Sequence, residues 1–125
     1  VSPPPAGAPC PFCEIVAGLA PAAVVAEWPG VIAIRPRHPV VPGHVLVIPR
    51  VHVADAGTDP AVSAIAMSAA AELAARLDSA NVITSKGRAA TQTVRHLHLH
   101  VVPRRAGDGL HLPWAPRPAE GGGDR

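Results

Sequence analysis

Apolar positions recur along the chain in two rhythms, one of short blocks and one of helical spacing. Val31-Ile32-Ala33-Ile34-Arg35 is an apolar block halted by Pro36 and Pro39, which reads as a strand. Val45-Leu46-Val47-Ile48 is a second, entered through the turn dipeptide Pro42-Gly43 and closed by Pro49. Between Pro60 and Ser79 the rhythm changes. Val62, Ile65, Ala66, Ala69, Leu73 and Leu77 return at spacings of three and four, which predicts a helix with one apolar face. Thr58 or Asp59 suits its cap, and Pro60 suits its first turn. Asn81–Thr84 and Val94–Val102 read as two further strands, the last strictly alternating from His96 to Val101. A short helix is predicted over Glu14–Leu19, stopped by Gly18 and Pro21. Two strands, a helix and two strands with short connections predict an α+β domain with a mainly antiparallel sheet and the helix on one face.

Composition narrows this further. Of 125 residues 48% are apolar, yet only Phe12, Trp28 and Trp114 are aromatic, so the core rests on Ala, Val, Leu and Ile. So few rings argue against a stacking surface for single-stranded nucleic acid. A net charge of +2 supplies no broad basic field, and no nucleic-acid partner is expected. Ser63, Ser68 and Glu72 interrupt the longest apolar stretch, so no membrane span is expected. The first residues lack the basic start and apolar block of a secretory signal. The expected compartment is the reducing cytoplasm, where Cys10 and Cys13 are metal ligands or free thiols rather than a structural disulfide. Residues 1–9 and 116–125 read as flexible leader and tail around a domain of residues 10–115.

The chemistry is concentrated in one predicted strand. In His96-Leu97-His98-Leu99-His100-Val101, alternation puts three imidazoles on one side and the apolar residues on the other. Side chains two apart on a strand diverge, so one metal ion does not easily gather all three at about 2.0–2.1 Å. A neutral imidazole is a competent nucleophile near neutral pH. His98, flanked on both sides, is the natural nucleophile, with His100 placed to donate to phosphate oxygens or a leaving group. Gln92 and Thr93 before the strand and Arg104 and Arg105 after it are phosphate-compatible, although each arginine alone reads as a solvated charge.

His96-Leu97-His98-Leu99-His100-Val101-Val102 resembles the signature of the histidine-triad family, His-x-His-x-His followed by two apolar residues. Pro39–Pro49, with its Pro42-Gly43-His44, is similar to that family's upstream turn and strand, and Gln92-Thr93-Val94 to its loop before the triad. Residues 92–108 are especially similar to the fragile-histidine-triad branch, and the N-terminal Cys-x-x-Cys to small bacterial members. The resemblance implies a sheet of about five antiparallel strands with one main helix, paired into a homodimer. It implies a hydrolase or nucleotidyltransferase that cleaves the α-phosphate linkage of nucleoside phosphoramidates or dinucleoside polyphosphates, with water or phosphate as acceptor. It implies that His98 forms a nucleotidyl-histidine intermediate, that His100 assists, that His44 completes the cluster and helps fix the nucleophile, and that Gln92, Thr93 and Ser85 bind substrate. Catalysis of this kind needs no cofactor. Some members with this Cys-x-x-Cys hold structural zinc, which would place Cys10, Cys13, His52 and His96 around a metal.

The chain departs from the family pattern at three positions. Pro36 stands eight residues before His44, where the family commonly has Asp or Asn for the ribose hydroxyls. Ser85 replaces a usual Asn or Gln eleven residues before His96, and Thr91 a usual Gly before Gln92. These departures leave the phosphate chemistry in place and point to altered nucleoside recognition or, at the extreme, a catalytically weak nucleotide-binding module.

Overall fold

The computed structural model describes residues 10–115; the leader and tail expected from composition lie outside them. In order the elements are α1 (Pro11–Val16), β1 (Val24–Trp28), β2 (Val31–Ile34), β3 (Val45–Pro49), α2 (Pro60–Ala74), β4 (Ala80–Ile83), a 3-10 turn (Arg88–Ala90) and β5 (Leu99–Pro103). The strands form one antiparallel sheet in the order β1-β2-β3-β5-β4. This is the expected α+β architecture of five strands and one main helix.

Alternation divides the sheet into two covered faces. Val31, Ala33, Val47, Leu97, Leu99 and Val101 meet Ala66, Ala69 and Ala70 of α2. Ile32, Ile34, Leu46 and Ile48 point the other way and pack with Phe12 and Cys10 around α1. All four residues of β2 are buried because both faces are covered, which is why that strand reads as an unbroken apolar block. The helix contacts the sheet through alanines, so the lack of large rings is met by close approach rather than bulk.

The first helix runs over Pro11–Val16 instead of Glu14–Leu19, because Cys10 caps it and Pro11 opens its first turn. Four further details differ from the sequence reading. First, β1 went unpredicted. Its Val24-Val25-Ala26-Glu27-Trp28 followed by the turn dipeptide Pro29-Gly30 carried the signal of a hairpin, and Trp28 pairs with Val31 across that turn. Second, α2 ends at Ala74 instead of Ser79, and Ile65 lies off its buried face, 52% exposed. Asp59 is the cap, its side chain accepting from Ala61 N at 3.0 Å, while Thr58 turns toward Asp55. Third, β4 starts and ends one residue earlier than expected. Fourth, the triad strand enters the ladder only at Leu99 rather than Val94. The register pairs Val47 with Leu99, so Pro49 would face Leu97. Pro49 has no N–H to give, its carbonyl accepts from the His96 side chain at 2.8 Å, and Leu97 N donates to Val53 O instead.

Candidate functional site

The triad histidines occupy one face as the alternation required, but each meets a different neighbourhood. His96 is fully buried, and His98 and His100 are half-buried. Phe12 stands edge-on to both His96 and His98, with ring centroids 5.9 and 5.0 Å apart.

His98 has a defined proton arrangement. Its Nδ1 lies 2.8 Å from the main-chain oxygen of His96. A carbonyl only accepts, so Nδ1 carries the hydrogen and Nε2 keeps its lone pair. Burial holds the ring below its ordinary 6.5, and the His96 carbonyl works against that shift by favouring the cation. The His98 carbonyl in turn accepts from Thr84 Oγ1 at 2.8 Å, which ties the triad to the end of β4.

A second chain of bonds fixes His100. Gly43, at φ 88°, turns the backbone sharply into β3, and a Cβ there would come within 3.2 Å of Pro103 Cγ. The turn leaves Val40 N donating to His44 Nδ1 at 3.1 Å. His44 Nε2 therefore carries its hydrogen and faces His100 Nδ1 at 2.9 Å. That makes His100 Nδ1 the acceptor and leaves His100 Nε2–H a donor with no partner among the described residues. Burial, then the neighbouring His98 and His44, push His100 down to about 4, so it donates as a neutral ring at pH 7. His44 was expected to help fix the nucleophile; its hydrogen bond goes to His100, not His98.

His100 and His44 open onto a cavity of about 290 Å³, with Ser85, Thr91, Leu110 and His111 among its lining. His98, Gln92 and Thr93, all expected at the substrate, are not among its lining. Gln92 is buried, and both its amide hydrogens go to main-chain oxygens, Ala54 at 2.7 Å and Val94 at 3.1 Å. Its Oε1 accepts from Gly87 N at 2.9 Å. No hydrogen is left for a phosphate, so Gln92 braces the loop. Thr93 is exposed, and it is Thr91 that lines the cavity. Thr91 takes the left-handed conformation at φ 69°, keeping the backbone that a glycine would adopt there. Ser85 lines the cavity.

Arg104 is not the solvated charge that its flanking position suggested. It is half-buried and bonds to Asp108, Asn81 and the Leu110 carbonyl. The i,i+4 spacing of Arg104 and Asp108, with Gly107 and Gly109 around the acid, was the available signal. Arg105 is exposed.

At the other end of the triad, Cys10, Cys13, His52 and His96 bring one ligand atom each within 4.8 Å of one another. Cys10 is the cap of α1, and Cys13 lies one turn further on. The separations are 3.4 Å from Cys10 Sγ to His96 Nδ1, 3.2 Å from Cys13 Sγ to His52 Nδ1, 3.5 Å from Cys13 Sγ to His96 Nδ1 and 3.2 Å between the two Nδ1 atoms. The edges of a tetrahedron of nitrogen and sulfur around zinc are roughly 3.3–3.8 Å, from bonds of about 2.0–2.3 Å. Each bond partner fits the same reading. His96 Nε2 donates to Pro49 O, which leaves Nδ1 as a bare lone pair aimed into the cluster. Cys13 N donates to Cys10 Sγ at 3.3 Å. With no cation, burial and the adjacent Cys10 push the Cys13 thiol up to about 11, and burial lowers His96 to about 4. A neutral imidazole suits a metal, and a bound cation would reverse the thiol shift. The donor set and spacing fit a closed structural zinc site.

The chain is similar to several known proteins. A sequence model of the HIT domain matches residues 17–107. An uncharacterized HIT-like protein of Mycobacterium tuberculosis is 41% identical over 111 residues, spanning 83% of this chain and 77% of its own length. The adenylylsulfatase HINT3 of Arabidopsis thaliana is 32% identical over 113 residues, spanning 85% of this chain and 56% of that protein. The crystal structure of a Zn-bound histidine triad family protein from Mycobacterium smegmatis superposes with a TM-score of 0.70 at 40% identity, covering 86% of this chain and 84% of that one.

Proposed function

Because this chain belongs to the HIT family, we propose that it is a nucleotide hydrolase that cleaves the α-phosphate linkage of nucleoside phosphoramidates or related nucleotides through His98. The observation that carries the reading is the bare Nε2 of His98, aimed by the 2.8 Å bond from Nδ1 to the His96 carbonyl and set beside the Nε2–H of His100. In the first step His98 Nε2 forms a bond to the α-phosphorus, and the bond to the departing group breaks with its electron pair going to that group. The His98 ring becomes cationic on phosphorylation, and the carbonyl at Nδ1 stabilises that charge. His100 Nε2–H donates to a phosphoryl oxygen or to the departing atom. In the second step water attacks the phosphorus, the P–N bond breaks, and its pair returns to Nε2. The proton shed by water balances the one the departing group gains. Dinucleoside polyphosphates and a phosphate acceptor are the variants of this scheme. A relative that is named an adenylylsulfatase supports hydrolysis of an α-phosphate linkage.

Zinc held by Cys10, Cys13, His52 and His96 would tie α1 to the triad strand and leave His98 and His100 for chemistry; the Zn-bound relative supports this. The family resemblance supports a homodimer and a cytoplasmic setting. Among the described residues no helix is long and apolar enough to cross a membrane.

The test is turnover of a nucleoside 5′-phosphoramidate and of a diadenosine polyphosphate by the wild type and by His98→Asn. Turnover by the wild type alone supports the reading, and the preferred substrate identifies the branch. Equal inactivity on both favours the binding module. The half-buried Pro36, at the expected ribose position, is the observation behind that second reading.

A further inference from the structure

The Arg104–Asp108 pair is a built feature that neither the nucleophile nor the metal cluster uses. Arg104 Nε and one terminal nitrogen hold both Asp108 oxygens at 2.7 and 3.1 Å. That terminal nitrogen also donates to Leu110 O at 2.8 Å, and the other donates to Asn81 Oδ1 at 2.6 Å. Asp108 Oδ1 accepts from Leu110 N at 3.0 Å. Both main-chain groups of Leu110 are thus pinned, in a loop carrying glycines at φ 78° and 82° that would otherwise move freely. The bond to Asn81 fastens the loop to β4.

Leu110 is followed by His111, an exposed residue that lines the same cavity as His100 and Ser85. In the displacement described above, the departing group leaves opposite the attacking Nε2. One flank of His98 is covered by Phe12, and the other is His100 at 5.3 Å, which faces the cavity. His98 itself does not line this cavity; a departing group that His100 holds enters it beside His111. The one guanidinium among the described cavity-lining residues is already matched by a carboxylate. Selection there acts through hydrogen bonding and shape more than through unpaired positive charge.

Resting on the proposed hydrolysis at His98, we propose that His111 contacts the departing group of the substrate, and that Arg104 and Asp108 are positioning residues that hold His111 there. The group so recognised carries a hydrogen-bond acceptor beyond the scissile bond and fits about 290 Å³, at the lower end of small-molecule sites.

Two nucleoside 5′-phosphoramidates test this, one with an unsubstituted amide and one whose nitrogen bears an aminohexanoate chain. In His111→Ala the ratio of kcat/KM for the long over the short substrate falls about 3–10-fold, the equivalent of one hydrogen bond. Asp108→Asn lowers the same ratio, chiefly through KM of the long substrate, with the far-ultraviolet spectrum unchanged. If Asp108→Asn does not fold, His111→Ala alone decides. An equal fall on both substrates, or no fall, overturns the inference while leaving the hydrolysis at His98 standing. A wild type inactive on both overturns the proposed hydrolysis and this inference with it.

Discussion

Thr91 is the one described non-glycine residue with a positive φ, and replacing it with glycine should stabilise the protein. At φ 69° and ψ 25° its β-branched side chain crowds the backbone, a cost of about 1–2 kcal/mol in the left-handed region. Glycine removes that cost and adds back roughly 0.5–1 kcal/mol of lost chain entropy. The hydroxyl bonds only the adjacent Ala90 carbonyl at an exposed site, so its loss weighs little. The balance is a gain of about 0.5–1 kcal/mol. For a chain of this size about 3–5 °C accompanies each kcal/mol, so Tm rises by about 2–5 °C. The assay is thermal unfolding followed by circular dichroism, with free zinc fixed at one concentration in both samples, because a ligand of the native state moves Tm by itself. A control, Thr91→Ala, keeps the left-handed strain and should gain much less. A lower Tm in Thr91→Gly would refute the argument and show that the threonine side chain contributes something the backbone geometry hides.

Three other outcomes follow from the site. In His44→Ala the His100 ring loses the donor that sets its tautomer, and kcat should fall about 3–10-fold, one hydrogen bond's worth, with affinity for a nucleoside monophosphate product nearly unchanged; steady-state kinetics and product titration check this. Burial keeps His98 below 6.5 and His100 near 4 in the fold, while the unfolded chain takes up protons first as pH falls. Stability contributed by the neutral rings is therefore complete above about pH 7 and is lost between about 6.5 and 4, so Tm measured across pH 4–8 should be flat at the top and fall on the acid side. Chelating zinc should lower Tm by on the order of 10–20 °C if free zinc had stood a thousandfold above its dissociation constant, about 4 kcal/mol. Cys13→Ser should abolish most of that difference, as calorimetry with and without chelator would show.

Much of the architecture was legible because its physics is local. Pro36 and Pro49 limit strands that their apolar blocks announce, and the three-four spacing of Val62, Ala66, Ala69 and Leu73 matches the face that α2 buries. The His-x-His-x-His alternation survives even where the ladder does not, since side-chain direction depends on extended backbone and not on pairing. What could not be read depended on distant partners. The late entry of β5 is set by Pro49, which gives Leu97 no N–H. Gln92 looks available for phosphate until Ala54, thirty-eight residues earlier, takes its amide. Arg104 looks solvated until Asn81 and the Leu110 carbonyl surround it. Ile65 fits the helical rhythm yet faces solvent, because the sheet beneath α2 is met by its alanines.

The central claim is that His98 Nε2 attacks the α-phosphorus. Its most direct test is mass spectrometry of protein quenched in base during turnover of a nucleoside 5′-phosphoramidate, with peptide mapping of any adduct under conditions that preserve the acid-labile P–N bond. The account predicts one nucleoside monophosphate group on His98, absent in His98→Asn. Substrate consumed with the adduct on another residue, or consumed equally by His98→Asn, would contradict it.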